Sequence, residues 1–341
     1  MTVLQSALDE RSNQTVPADA CPDVRFLLLP LPEFTLLPFG AFVDKLRFSG
    51  DEADFSRQRH CAWDIVGIER GEIVSSSGVA IRVELTPDDI RLADYDYLVV
   101  FGGRTARGSQ ALAERYGAFL RDAATQAVTL VSIDNACFLL AEVDLLNGYR
   151  VALHWRHVQE FRTDYPHIEV REEQRYCLDG QRVSCTGGVA AIDLAVELLA
   201  RHVGRSQALK GLPDMMVDGL RPPSYELASL DEEIFSGRHV GRAIGLMRGR
   251  LSERTTVDDI AAQIGLGRRQ LDRLFRSSLG QTAHEYWQEL RLQHVRWRLL
   301  NSDHRLATLA DEVGFQDASH LCKVFRKRFG ETPEGLRKSH R

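Results

Sequence analysis

A mostly parallel α/β domain followed by an all-helical domain is the architecture that this 341-residue sequence predicts. Three observations point to it. Over the first ~200 residues, short β-rich apolar runs alternate with helical ones, the order that builds a parallel sheet covered on both faces. From about residue 233 the β signals almost vanish, and apolar stripes repeat at helical spacing. Within that second part a helix–glycine–helix pattern occurs twice, about 50 residues apart.

The opening stretch, "MTVLQSALDERSNQTVPADA", has no basic n-region before an apolar core, so a disordered polar tail is expected over 1–21 rather than a secretory leader. Buried strands are expected in "VRFLLLP" (24–30), "WDIVGIE" (63–69), "YDYLVVFGG", "TQAVTLVSID" ending at Asp134, and "RVSCTGG" (182–188). Between them, "SQALAERYGAFLRDAA" (109–124) and "GGVAAIDLAVELLARHVG" (187–204) carry apolar residues at helical spacing. These elements make a first domain over 22–205. Gly, Pro and acidic residues then break any long periodicity, which marks 206–232 as a connector and 233–341 as the second domain.

Composition narrows the function classes. A hydrophobic fraction of 44% with 27% charged residues is that of a soluble globular protein, and no apolar run approaches the length of a membrane span. Six widely spaced cysteines (21, 61, 137, 177, 185, 322) form no C-x-x-C pair, which argues against a zinc site or disulfide framework and fits a reduced cytoplasm. No metal or cofactor is expected. From residue 233 onward 20 Lys and Arg face 13 Asp and Glu, so the net charge of −5 divides into +7 for that part and −12 for the rest. Only the C-terminal part is then suited to a polyanion.

The first copy of the repeated pattern is "TTVDDIAAQIGLGRRQLDRLFRSSLGQT" (255–282). Thr256 is placed to cap a helix whose first turn holds Asp258 and Asp259. Ile260, Ala261 and Ile264 form its apolar stripe, and Gly265 permits a tight turn. A second helix from about Gly267 points Leu271, Leu274 and Phe275 inward. Its outer face shows Arg268, Arg269, Gln270, Asp272, Arg273 and Arg276. Such a pair describes a helix-turn-helix, here over about 256–277. The second copy, "RLATLADEVGFQDASHLCKVFRKRFGETPEGLRK" (305–338), repeats it over about 306–328. Leu306, Leu309, Ala310 and Val313 stand at Val257, Ile260, Ala261 and Ile264, and Gly314 stands at Gly265. Leu321, Val324 and Phe325 match Leu271, Leu274 and Phe275.

On these residues, 233–341 resembles the DNA-binding domain of AraC/XylS-type transcriptional regulators, whose signature "A-x3-GF-x-D-x-S-x-L-x3-F-(R/K)-K-x-FG-x-TP-x3-R" runs through the second copy. In that family two helix-turn-helix units, joined by a long helix, enter successive major-groove segments of double-stranded promoter DNA. The resemblance makes "AHEYWQELRLQHVRWRLLN" (283–301) the joining helix. It assigns base reading to Arg268, Arg269, Asp272 and Arg273 in the first unit and to Ala318, Ser319, Cys322 and Lys323 in the second. Arginine bonds guanine O6 and N7 bidentately, so the first unit should discriminate more strongly. Arg326, Lys327 and Arg328 are expected at phosphates, and Phe315, Phe325 and Phe329 in the core.

In the first domain, "VSIDNACFLLA" (131–141) has the look of a catalytic turn: a strand, a tight polar turn with a cysteine, and a helix. With the residues that follow it, it resembles the nucleophile-elbow region of the DJ-1/PfpI, class I glutamine amidotransferase-like superfamily, in the branch fused to AraC-type domains. That branch carries "S-I-C-T-G-A-F-x-L-A-x-A-G-L-L-x-G". Ser132, Ile133, Phe138, Leu139, Leu140, Ala141, Leu145, Leu146 and Gly148 fall into place against it. The nucleophile position is then Asp134, and Cys137 lies inside the first helical turn, directed to packing. His154 is the available base, but a histidine holding a loop accounts for it as well. The resemblance covers about 22–205 and implies a flavodoxin-like domain retained for ligand sensing. Ligands of parallel α/β sheets settle at the C-terminal strand ends. The pocket is therefore expected at Gly102, Gly103, Arg104, Asp134, Asn135, His154 and Trp155. The glycines would allow close approach, the helix-start amides would hold a carboxylate, Asp134 a cation, and Trp155 would offer a π-face. Relatives with a replaced nucleophile sense arginine, carnitine or glycine betaine, which implies an amino-acid or quaternary-amine effector.

The expected protein is a cytoplasmic, non-enzymatic transcriptional regulator, an activator acting as a homodimer with RNA polymerase and responding to a small effector. Two readings compete with it. One is a cysteine-dependent amidase or glyoxalase-like enzyme fused to a DNA-binding domain, and the other a ligand-independent interaction module.

Overall fold

A computed structural model of the chain describes residues 21–52, 55–221, 238–251, 255–302 and 304–339. The tail up to residue 20 and the connector from residue 222 lie outside the described residues.

The first domain is built on a six-stranded sheet in the order β2-β1-β5-β6-β10-β9. Its strands are β1 (Val24–Pro30), β2 (Cys61–Ile65), β5 (Tyr97–Phe101), β6 (Thr129–Ile133), β9 (Tyr176–Asp179) and β10 (Arg182–Cys185). The five strands β2, β1, β5, β6 and β10 run parallel, and β9 closes the edge antiparallel. The strand expected at 63–69 is displaced to Cys61–Ile65. Successive side chains of a strand point to opposite faces, and β1 shows the consequence. Phe26 and Leu28 join one core while Leu27 and Leu29 join the other. The first core is closed by α1 (Leu36–Ser49) and α6 (Ala190–Leu209). The second lies under α2 (Ala106–Gln110), α3 (Ala113–Thr125), α4 (Ala136–Glu142) and α5 (Val158–Asp164). Two small additions flank the sheet: the hairpin β3 (Gly71–Val74)–β4 (Ala80–Val83), and the pair β7 (Arg150–Val151) and β8 (Glu169–Val170).

The second domain is helical throughout its described residues. It comprises α7 (Arg238–Gly249), α8 (Val257–Gln263), α9 (Arg268–Leu279), α10 (Ala283–Asn301), α11 (Leu306–Glu312), α12 (Ala318–Phe329) and α13 (Pro333–Ser339). Two separate cores form, one around Ile260, Leu271, Phe275 and Trp287, the other around Leu309, Val313, Leu321 and Phe325. The two units repeat each other closely. Each has a seven-residue helix, a turn on a left-handed glycine (Gly265, φ 75°; Gly314, φ 68°) and a twelve-residue helix. Each second helix ends on a left-handed glycine, Gly280 or Gly330, where a side chain would be strained. α10 joins the units, its start fixed by a capping box between Thr282 and Glu285.

Candidate functional site

The second helix of each helix-turn-helix unit buries one stripe and exposes the other. In α9, Leu271 and Phe275 are fully buried while Arg269, Gln270, Arg273 and Arg276 are exposed. In α12, Leu321 and Phe325 are buried and Ser319, Lys323 and Arg326 exposed, with Ala318 and Cys322 half-buried beside them. Two residues expected to read bases are engaged within the protein. Arg268 Nε donates to Asp272 Oδ2 and its Nη1 to Asp258 Oδ2, both at 3.0 Å. The other Asp272 oxygen, Oδ1, accepts from the Ala283 amide at 3.0 Å, which ties α9 to the first turn of α10. Arg328, expected at a phosphate, is instead held by Glu289 of α10 through Nε (2.5 Å) and Nη2 (2.9 Å). These three side chains thus bond between helices, whereas the other exposed residues of the two faces are left for an external partner.

At the C-terminal ends of β5 and β6 the first domain forms a tight turn around Asp134. Its φ of 59° lies in the left-handed region, which is uncommon for a non-glycine residue and which Asp tolerates better than most. Asp134 N donates to Cys185 O, and Thr35 Oγ1 donates to Asp134 Oδ2 at 2.9 Å. A side chain on Gly187 would come within 3.0 Å of the Asp134 Cβ, so "TGG" (186–188) covers the carboxyl closely. Burial pushes this carboxyl above its ordinary value, against the opposing pull of His157 and of the Thr35 and Asn135 hydrogen bonds. Thr35 and His157, absent from the pocket expected from the sequence, are thus the side chains that act most directly on Asp134.

Several of the expected pocket residues do other work. A Cβ on Gly102 would lie 2.3 Å from Ala136 N, and one on Gly103 2.9 Å from Pro32 O. The glycines therefore admit the protein's own backbone rather than a ligand. Asn135 is buried and its Nδ2 donates to Gly103 O at 3.1 Å. Arg104 is exposed. α4 has only seven residues, too short to make its start a strong carboxylate site. His154 Nδ1 accepts from Arg156 N at 3.3 Å, and burial pushes its ring down to about 4, which keeps it neutral. Trp155 packs against the core of the first helix-turn-helix unit, with Arg248 5.8 Å from its ring, so its face is occupied by the second domain. Cys137 is 1% exposed, its Sγ 3.4 Å from Asp134 O, and burial with the Asp134 charge pushes the thiol well up. Such burial disfavours the thiolate, the form in which a cysteine attacks.

Two family models match the chain: that of the DJ-1/PfpI family over residues 48–201 and that of a helix-turn-helix domain over residues 260–339. The HTH-type transcriptional regulator CdhR of Pseudomonas aeruginosa is 29% identical over 311 residues, 90% of this chain and 90% of CdhR. The regulator ArgR of the same species is 28% identical over 233 residues, 68% of this chain and 70% of ArgR. GbdR, from Pseudomonas aeruginosa strain UCBPP-PA14, is 24% identical over 322 residues, 92% of this chain and 83% of GbdR. The duplicated unit joined to the α/β domain defines an HTH-type, DNA-binding transcriptional regulator. The chain joins an N-terminal DJ-1/PfpI domain to a C-terminal AraC-type helix-turn-helix domain, the combination of the regulators it is similar to.

Proposed function

We propose that this regulator is a cytoplasmic activator that binds promoter DNA as a homodimer, contacts RNA polymerase, and responds to a small effector in its α/β domain. The α/β domain acts without catalysis. The observation that carries the DNA-reading part is the pair of exposed polar faces on α9 and α12, each set on a rigid apolar stripe. Arg269, Arg273 and Arg276 read bases or phosphates in the first unit, with Gln270 beside them. Ser319, Lys323 and Arg326 do so in the second, with Ala318 and Cys322 offering small apolar contacts. Arg268 and Asp272 belong to the same surface but position α9 and α10 instead.

The test is affinity for a duplex that the full-length protein itself enriches from a random pool. Replacing Arg269 and Arg273 with Ala should cost about 1–3 kcal/mol for each lost base contact and relax specificity at those positions. Unchanged sequence preference would overturn the assignment.

The effector is an amino acid or a betaine- or carnitine-like quaternary amine whose cation pairs with Asp134. A carboxylate held at a left-handed turn and bonded by Thr35 supports a cation-recognising role. Calorimetry of the full-length protein against amino acids, betaines and carnitine tests it. Heat with wild type that disappears in Asp134→Ala supports the reading, and no heat across the panel would favour a ligand-independent module.

A further inference from the structure

The junction between the domains contains a buried charge chain that neither the reading faces nor the Asp134 turn needs for its own construction. Arg298, in the last third of α10, is fully buried. Its Nε and Nη2 donate to Glu312 Oε2 and Oε1 at 3.0 and 2.9 Å, reaching α11 of the second helix-turn-helix unit. Its Nη1 pairs with Glu160 on α5, in the α/β domain. Glu160 and Glu312 are 6% and 5% exposed, so the triad is sealed from water. A buried ion triad holds only while every partner stays in place, because removing one strands the other charges in a medium that does not solvate them.

The Glu160 end leads back to the Asp134 turn. Glu160 Oε2 lies 3.3 Å from His157 Nδ1, and the His157 ring meets Trp297 of α10 edge-on at 5.1 Å. On its other side Phe138 of α4 meets His157 at 5.9 Å and Phe161 at 5.0 Å, both edge-to-face. Phe138 lies four residues past Asp134, on the helix that starts at that turn. A contiguous packed path therefore joins the Asp134 turn, α4, α5, α10 and α11.

We infer that the Glu160–Arg298–Glu312 triad is a regulatory latch. Through it, a shift of α4 and α5 at the Asp134 turn is passed to α10 and α11, and so to the placement of one helix-turn-helix unit relative to the other. The inference rests on the DNA-binding reading of the second domain and adds how the first domain acts on it. α10 is 19 residues long, about 28 Å, and acts as a rod between the two units. An anchor close to its second-unit end fixes that unit's angle. Contact alone does not establish coupling, so the experiment measures coupling directly.

Full-length wild type, D134N, E160Q and the double variant are compared by hydrogen exchange and by affinity for the enriched duplex. E160Q is expected to raise exchange in 154–161 and 292–301 by at least about fivefold while 24–30 and 129–133 stay protected. It should also change the apparent Kd by about fivefold or more. D134N should alter exchange in 292–301 in the wild-type background and leave it unaltered in E160Q. Equal D134N responses in both backgrounds, or unchanged exchange in 292–301 for E160Q, would overturn the latch. Where E160Q also deprotects 24–30, the same comparison is made with R298K, which keeps the charge but cannot bridge two carboxylates as a planar fork. Failure of the wild type to enrich any duplex would count against the DNA-binding reading alone, because the exchange comparison decides the latch without DNA.

Discussion

Asp134 and Cys137 sit one helical turn apart, yet their environments divide them. Asp134 is held at the turn with its carboxyl bonded by Thr35, whereas Cys137 points into the core beneath α4. Its buried thiol is pushed up, so almost none of it is thiolate at neutral pH. Iodoacetamide at pH 7.5 should therefore alkylate the exposed Cys21 readily and leave Cys137 and Cys185 unmodified until the protein is unfolded. Peptide mapping by mass spectrometry reads this out, and prompt labelling of native Cys137 would restore the enzyme reading. The position of Asp134 at the end of a strand is legible in "VSIDNA" because apolar runs flank a polar turn. Its partner Thr35 is not, since it lies 99 residues earlier in a stretch with no motif of its own. Gly102 and Gly103 show the converse. A glycine pair signals close approach, but only the folded chain reveals that Ala136 and Pro32 are what approach.

The helix-turn-helix pairs of the second domain are readable because α9 and α12 are amphipathic over whole turns and the pattern occurs twice. Gly265 and Gly314 mark the turns in the sequence and take positive φ in the structure. In the first domain, α1 and the short strands gave little to read. β7 and β8 are two residues each and β3 is mostly exposed, so no stretch alternates long enough to declare itself. An outward polar side says less than periodicity does, as α9 demonstrates. Six polar residues share its outer side, yet Arg268 and Asp272 bond each other, Asp258 and the Ala283 amide. Asp272→Ala removes an acceptor from a helix-start amide and from an arginine. It should destabilise the domain by about 1–2 kcal/mol in urea unfolding. Base preference in the enriched duplex should stay as it was, whereas Arg273→Ala should do the opposite. A change of preference in Asp272→Ala without loss of stability would return Asp272 to the reading face.

The acidic first domain and basic second domain meet through α5 and α10, and charged groups there are withdrawn from water. His294 on α10 is 8% exposed, and burial, with Arg298 next, pushes its ring down to about 4. His154, less deeply set, is pushed down to about 4 by the same cause. In the unfolded chain both rings titrate near 6.5, so between pH 6.5 and 4 the unfolded state binds protons that the folded state refuses. Stability must then fall as pH falls through that window, by up to about 1.4 kcal/mol per pH unit for each fully displaced histidine. Glu160 acts in the same direction further down. Burial opposes its ionised form, but His157 and Arg298 outweigh it and hold its carboxyl below the ordinary value. The stability that Glu160 contributes is present above its ordinary value and is lost as pH falls through the lower, folded one. Urea midpoints measured from pH 7.5 to 4.5 should therefore decline steadily below about 6.5. His294→Gln, which keeps the ring's volume roughly and cannot charge, should flatten that decline by one histidine's share. An undiminished slope in His294→Gln would place the acid-sensitive group elsewhere and remove His294 from the sealed face of the domain junction.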